Sequence, residues 1–209
     1  MRRTKQEVVS EFRSNEILCA ARKVFARKGF ASATVDEIAE AANVAKGTVY
    51  LYFPSKKEIY LAAFRMGWAK LIEETSRNVE AAPGLQAKLH AFVSTRIHWA
   101  ERNRDFISIF HAEFGNINTS CANKRFRTLY VEQATVLEAV LEQAAADGEI
   151  RPMRADAAAF AVYDMTRGLV TRRLLGWSKA SAEEDIQFLC ELIWSGMAPA
   201  PAVANGGLI

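Results

Sequence analysis

Apolar residues recur at intervals of three and four along most of the chain, the spacing that puts them on one face of an α-helix. No segment keeps up the two-residue alternation typical of a half-buried β-strand. Clusters of Pro, Gly and Asn separate the helical segments. This pattern predicts an all-α protein. The predicted helices cover residues 14–29, 34–42, 46–53, 55–79, 85–102, 104–114, 122–147, 154–176 and 181–197.

Two short helices joined by a tight turn are predicted just after the first helix. Thr34 and Glu37 have the spacing of a capping box, and Ser55 and Glu58 repeat it further on. Asn43 lies in the turn, because asparagine tolerates left-handed backbone. Between the two capping boxes, residues 46–53 are predicted to form about two turns of helix, which end at Pro54. Two helices with such a turn are typical of a helix-turn-helix, whose second helix enters the major groove of DNA.

The second short helix carries residues suited to DNA. Lys46 can reach guanine acceptors or a phosphate, and Gly47 lets backbone approach the duplex closely. The opposing interpretation is a plain helical hairpin in which Lys46 and Lys56 are ordinary solvated charges. The density of caps, lysine, threonine and tyrosine favours DNA binding. We predict DNA contacts from Thr34, Lys46, Gly47, Thr48, Tyr50, Tyr52 and Lys56.

Residues from about Ser14 to Phe64 resemble the TetR family of bacterial transcription regulators. The match includes VFARKGF at 24–30, TVDEIA at 34–39 and ANVAKGTVYLYF at 42–53. The resemblance implies phosphate contacts from Thr34, Tyr52 and Lys56, and base or backbone contacts from Lys46, Gly47, Thr48 and Tyr50. Leu51 departs from the family pattern, and an apolar contact to a thymine methyl is the role that it could take. The family also implies a DNA-binding head on a variable, ligand-binding and dimerising body.

Charge supports the same division of the chain. Residues 1–60 hold 11 Lys and Arg against 7 Asp and Glu, whereas residues 61–209 hold 16 against 17. The positive excess therefore lies with the helix-turn-helix, as expected for a DNA-binding segment. We predict a DNA-binding domain at 1–54, a helical-bundle body for ligand binding and dimerisation at 55–198, and a disordered tail at 199–209.

An aromatic stripe at 106, 110 and 114 is the main candidate for a ligand site in the body. Such a stripe is either packed core or the wall of a pocket between helices. Arg96 and Arg172 fall on largely apolar faces, where each could pair with an internal carboxylate, serve as counterion of an acidic ligand, or extend to solvent at the bundle edge. The predicted effector is small and largely apolar. The candidate ligand-binding residues are Arg96, Trp99, Phe106, Phe110, His111, Phe114 and Tyr163.

The last two predicted helices favour a homodimer. The final helix is apolar on more than one face, so it should pack on its own bundle and on a second copy. We placed Ile193 and Trp194 on its outer face. The resemblance likewise implies a four-helix interface with two helices from each subunit.

Other classes of function find little support in the sequence. Cys19, Cys121 and Cys190 lack metal-ligand spacing and fit a reducing compartment, and no metal-binding or nucleophile motif accompanies the three histidines. No apolar segment reaches the length of a membrane span. We therefore expect a cytoplasmic, ligand-responsive regulator without catalytic residues, metal or cofactor, most simply a repressor that leaves a double-stranded operator when its effector binds. The alternatives are a helical protein-interaction module and a helical-bundle enzyme.

Overall fold

The structure, a computed structural model, describes residues 4–107 and 124–199, and the regular elements in these ranges are α-helices joined by turns and loops. No strand occurs in these ranges, so the all-α prediction is confirmed. Residues 104–107 are also helical; the rest of the predicted helix 104–114 and residues 200–209 lie outside the described residues. The helices are α1 (Lys5–Ser32), α2 (Val35–Ala41), α3 (Lys46–Tyr52), α4 (Lys56–Ala81), α5 (Gly84–Arg102), α6 (Lys124–Ala146), α7 (Ala155–Leu174) and α8 (Ala182–Met197).

Helix α1 begins earlier than predicted. Thr4 is its N-cap, and Thr4 and Glu7 form a capping box of the kind that the sequence also shows at Thr34. The helix breaks at Gly29, whose φ of 75° is left-handed, and it resumes as far as Ser32. The predicted helix end at residue 29 thus falls on this break, but the chain resumes helical backbone after it.

The described residues fall into two compact units, of which the first comprises 4–71, 100–107 and 124–127. Its core joins α1, α2, α3 and the start of α4, and residues at helical spacing on each are fully buried. Among the most deeply buried side chains here are those of Ile17, Ala21, Ile38, Val49, Ile59 and Phe64.

The second unit comprises 72–99 and 128–199. Its core draws on α5, α6, α7 and α8, with Leu89, Phe92, Leu137, Val162 and Leu189 among its buried side chains. None of the described helices is long and apolar enough to cross a membrane.

A buried ion pair links α7 to α8 inside the second unit. Arg173 Nη1 donates to Asp185 Oδ2 at 2.7 Å, and the Ser178 hydroxyl donates to the same oxygen at 2.8 Å. Arg173 Nη1 also donates to the Ala180 carbonyl at 3.0 Å. The side chains of Arg173 and Asp185 are 15% and 8% exposed. The pair therefore fixes the turn that connects the last two helices.

Candidate DNA interface and ligand site

The start of α2 is held by reciprocal hydrogen bonds. Glu37 N–H donates to Thr34 Oγ1 at 3.2 Å, and Thr34 N–H donates to Glu37 Oε2 at 3.0 Å. Lys28 pairs with the other oxygen of the Glu37 carboxylate. The hydrogen bonds from Lys28 and from the Thr34 backbone lower the pKa of Glu37 to about 2, so the cap is fully formed at neutral pH. The capping box predicted at Thr34 is confirmed.

Helix α3 presents one buried and one exposed side. Val49 is fully buried, and Phe53, which caps the helix, is 8% exposed. Lys46, Gly47 and Tyr50 are exposed, and Leu51 is 84% exposed, an unusual position for leucine. Asn43 has the predicted left-handed backbone, with a φ of 54°.

The candidate DNA contacts differ in how exposed they are. Thr48 and Tyr52 are half-buried, so they are less accessible than Lys46, Gly47 and Tyr50. A Cβ built on Gly47 meets no atom within 4 Å, which means that the fold itself does not require glycine there. Because glycine has no side chain, the backbone of another molecule could approach the helix closely at this position.

Lys46 is already paired in the protein alone. Its ammonium donates to Asp36 Oδ2 at 2.8 Å, and this hydrogen bond raises the pKa of Lys46. Both side chains are more than half exposed, so the pair is a weak one that a phosphate or base could replace. Sequence reasoning missed Asp36, which was visible only as one acidic residue in the first turn of α2.

Lys56 hydrogen-bonds to backbone carbonyls at the end of α1. Its ammonium donates to the carbonyl oxygens of Phe30, Ala31 and Ala33 at 2.8, 3.1 and 2.9 Å, and it lies 4.7 Å from the centre of the Phe30 ring. An ammonium has three N–H donors, and three carbonyls occupy them here. The predicted phosphate contact stays a prediction, and it would require this arrangement to open.

Lys56→Met is expected to lower the free energy of unfolding by about 1–3 kcal/mol, because three carbonyls at the end of α1 would lose a charged donor. Urea denaturation measures this change. Lys57→Met is the matched control, since Lys57 is the exposed neighbour on the same helix. Wild-type stability in the Lys56 variant, together with weaker DNA binding, would instead assign the ammonium to phosphate.

In the second unit, Arg96 is the centre of a buried polar cluster that we call the Arg96 cluster: Phe92 and Arg96 of α5, Gln133 of α6 and Tyr163 of α7. The guanidinium carbon lies 5.1 Å from the centre of the Phe92 ring and 4.7 Å from that of Tyr163. Arg96 Nη1 donates to Gln133 Oε1. Arg96 is 7% exposed, so it does not extend to solvent as one interpretation of the sequence allowed.

The other candidate ligand residues that the structure describes do not all belong to the same unit. Trp99 is buried in the second unit, whereas Phe106 is buried in the first. There its ring stacks on that of Phe64 at a centroid distance of 5.4 Å and lies tilted against that of Trp68 at 6.1 Å. A Cβ built on Gly67 would overlap the Phe106 ring. The predicted stripe cannot be followed further, because Phe110, His111 and Phe114 lie outside the described residues.

Arg172 was wrongly placed on an apolar face, since it is exposed on α7. Helix α7 advances about 100° per residue, which puts Arg172 in line with the exposed Ala161 and Gly168 rather than with the buried Val162. Of the two arginines singled out by the sequence, Arg96 is thus the buried one.

The outer face of α8 also differs from the prediction. Ile193 is 3% exposed and packs within its own unit, and Trp194 is half-buried. The exposed apolar residues on α8 are Phe188 and Leu192, at 60% and 50%. The final helix is indeed apolar on two sides, but Ile193 lies on the inner one, so its predicted outer position was wrong.

Within residues 4–107 and 124–199, no three His, Cys, Asp or Glu side chains come together as a metal site would require.

Comparison with known proteins points to one group. Residues 17–63 match the model of the tetR family of bacterial regulatory proteins, and residues 83–171 match that of the tetracyclin repressor-like C-terminal domain. The fatty acid metabolism regulator protein of Bacillus subtilis is 25% identical over 65% of this chain and 70% of its own length. The transcriptional repressor AcnR of Corynebacterium diphtheriae is 28% identical over 69% of this chain and 70% of its own length. The crystal structure of the regulator FadR from Bacillus subtilis in complex with stearoyl-CoA superposes with a TM-score of 0.78 at 22% identity, covering 87% of this chain and 98% of that one.

Proposed function

Since the chain belongs to the tetR family of bacterial regulatory proteins, we propose that it is a dimeric repressor that leaves its operator when a small, largely apolar molecule binds the second unit. The observation that carries the DNA role is the exposed side of α3. A short helix that exposes Lys46, Gly47, Tyr50 and Leu51 while burying Val49 has a surface that the fold does not use.

The residues on that side divide into two chemical classes. Lys46 and Tyr50 offer donors to phosphates or base acceptors, with Thr34 at the N-terminus of α2 as a further phosphate contact. Leu51 offers an apolar surface to a thymine methyl. A mixture of donors and apolar groups on one helix fits the major groove, which displays both acceptors and methyl groups.

A dimer would repeat this surface in two successive major grooves, about 34 Å apart on a pseudo-palindromic site. The exposed faces of α7 and α8 support dimerisation. Ala157, Ala161 and Gly168 form a small-residue strip on α7, and Phe188 and Leu192 form an apolar strip on α8. Exposed apolar residues next to small ones favour close packing against a second copy.

The effector would act by binding more tightly to the conformation that has left the DNA, because a ligand shifts an equilibrium by its difference in affinity for the two states. Fatty acyl compounds are the first class to test. The name of the Bacillus subtilis relative supports this choice, as does a second unit whose interior is largely apolar. The repressor named among the relatives supports the sign of the regulation. A regulator of this kind would work in the cytoplasm, where the bacterial chromosome lies.

DNA binding is tested with fragments from either side of the coding gene and with a randomised library, by fluorescence anisotropy at several salt concentrations. We expect a specific site whose affinity falls steeply as salt rises. Absence of salt-dependent binding to any fragment or selected sequence would refute the function and favour a protein-interaction module.

Lys46→Ala and Asp36→Asn are expected to change operator affinity in opposite directions. Loss of the lysine should weaken binding about tenfold or more without unfolding the exposed site. Removal of the Asp36 charge should strengthen binding, because it releases Lys46 from its pair and takes an anion away from the phosphates. Anisotropy titrations of the two variants against one operator check this. A parallel loss in both variants would mean that the ion pair itself is part of the bound structure.

A further inference from the structure

The Arg96 cluster contains a buried cation without an anion. Arg96 is 7% exposed, and the partners of its guanidinium are an amide oxygen and two aromatic rings. Among the described residues no carboxylate lies within 4 Å of it, although other arginines of the second unit, such as Arg173, have one. Burial lowers the pKa of Arg96 to about 10, so the group is still charged at neutral pH. A buried charge of this kind is costly unless it is paired.

Gln133 adds an unsatisfied donor at the same place. The residue is fully buried, and its Nε2 has no hydrogen-bond partner within the described structure. The amide cannot be turned round to solve this, because its NH2 group would then face the Arg96 guanidinium, and both are donors. Buried polar atoms without partners are rare in native proteins, and each calls for a reason.

The two observations have one chemical complement. A carboxylate has two oxygens, which can accept from a guanidinium and from an amide N–H together, and its charge offsets that of Arg96. A buried water could accept from Gln133, but it would leave the cation without a counterion. The helices that carry the cluster also bury the apolar side chains of Leu89, Phe92, Leu137 and Val162, which suits a hydrocarbon chain attached to that carboxylate.

We infer that the second unit binds its effector as a free carboxylic acid, with the carboxylate held by Arg96 and Gln133 Nε2 and the apolar chain lying between α5, α6 and α7. This inference rests on the proposed ligand-responsive function and makes it more specific. A thioester or an alcohol of the same chain offers an acceptor to Gln133 but no charge for Arg96. The site should therefore prefer a fatty acid to the acyl-CoA or alcohol derived from it.

Calorimetric titration and thermal melting of the full chain without DNA test the preference. The probes are laurate and palmitate, the matching alcohols dodecanol and hexadecanol, and the matching acyl-CoA thioesters. Wild-type protein should bind an acid about 10- to 100-fold more tightly than its alcohol or thioester, the ratio that one charge-assisted contact supplies. Equal affinity for acid and alcohol, tighter binding of the thioester, or binding of none of these probes would overturn the inference.

Variants locate the contact. Arg96→Met should lose the preference for the acid while retaining affinity for the alcohol. Gln133→Met should lower the affinity for the acid by about three- to tenfold. Arg154→Met is the matched control, as an exposed arginine of the same unit, and it should bind like wild type. If Arg96→Met does not fold, Arg96→Lys keeps the charge on a shorter donor and should retain part of the preference. Acid binding at wild-type strength in both Arg96 variants would overturn the assignment.

The melting temperature of the protein without ligand separates the structural alternative. If Arg96 lacks an anion in the native chain, Arg96→Met should melt at or above the wild-type temperature, because an uncompensated buried charge has been removed. A marked fall would show that Arg96 has a carboxylate partner within the chain, which would overturn the inference. Operator release is measured separately. If the thioester alone releases the operator, the proposed regulatory function stands and the carboxylic acid site is refuted. If the protein binds the acid selectively but binds no operator, the acid site stands and the regulatory function is refuted.

Discussion

Replacing Phe188 and Leu192 together by glutamate is expected to convert the proposed dimer into folded monomers. The two side chains are 60% and 50% exposed, so the new charges burden the unit itself little, whereas at an interface they would meet the same charges of the second copy. Sedimentation velocity at micromolar concentration measures the change, with circular dichroism to verify the fold. Operator affinity should fall about a hundredfold or more, because each half-site would then be bound independently.

Gly168→Leu provides a second route to the same outcome without adding charge. A Cβ built on Gly168 meets nothing within 4 Å, so a larger side chain is accommodated by the unit but would obstruct close packing of α7 against a partner. Ala139→Glu is the control, since it puts a charge on an exposed position of α6. A wild-type chain that sediments as a monomer, or a double variant that remains a dimer, would contradict the proposed interface.

Arg173→Met is expected to lower the free energy of unfolding by about 3–5 kcal/mol, because it leaves the Asp185 carboxylate buried with only the Ser178 hydroxyl to accept from. Urea denaturation measures the loss. Adding Asp185→Asn to this variant should recover part of it by removing the stranded charge. Arg154→Met is the matched control. Arg154 also pairs with an aspartate, Asp156, but both side chains are largely exposed, and such pairs contribute little.

The pair between Arg173 and Asp185 also positions the start of α8. Asp185 lies in the first turn of α8, and its pairing with Arg173 sets the start of that helix against the end of α7. If Arg173→Met unfolds no more easily than Arg154→Met, the pair is dispensable and the turn is held by apolar packing alone.

Local chemistry explains what the sequence predicted well. A capping box involves residues three apart and needs no tertiary contact, so Thr34 with Glu37 could be identified directly. The same signature at Thr4 and Glu7 was missed, because the residues that follow it, including Val8 and Phe12, are exposed and gave no sign of a buried face. Caps are therefore better evidence for where a helix begins than amphipathic spacing is.

Contacts between residues far apart in the sequence were harder to predict. The apolar spacing showed that Arg96 lies on an inner face, but its partner Gln133 is far away in the sequence, and nothing local joins them. For α8, an apolar surface on two sides does not say which side meets its own bundle. Ile193 and Leu192 are neighbours of similar hydrophobicity, and packing alone decides that the first is buried and the second exposed.

The contact between Gly67 and Phe106 limits how this chain can diverge. Since the aromatic ring occupies the space that any side chain at 67 would need, the two positions cannot change independently. A lineage that replaces the glycine should acquire a smaller residue at 106 beforehand or at the same time, and it would then lose the ring contacts with Phe64 and Trp68. In descendants of this sequence the two sites should therefore covary, with glycine retained wherever the phenylalanine is.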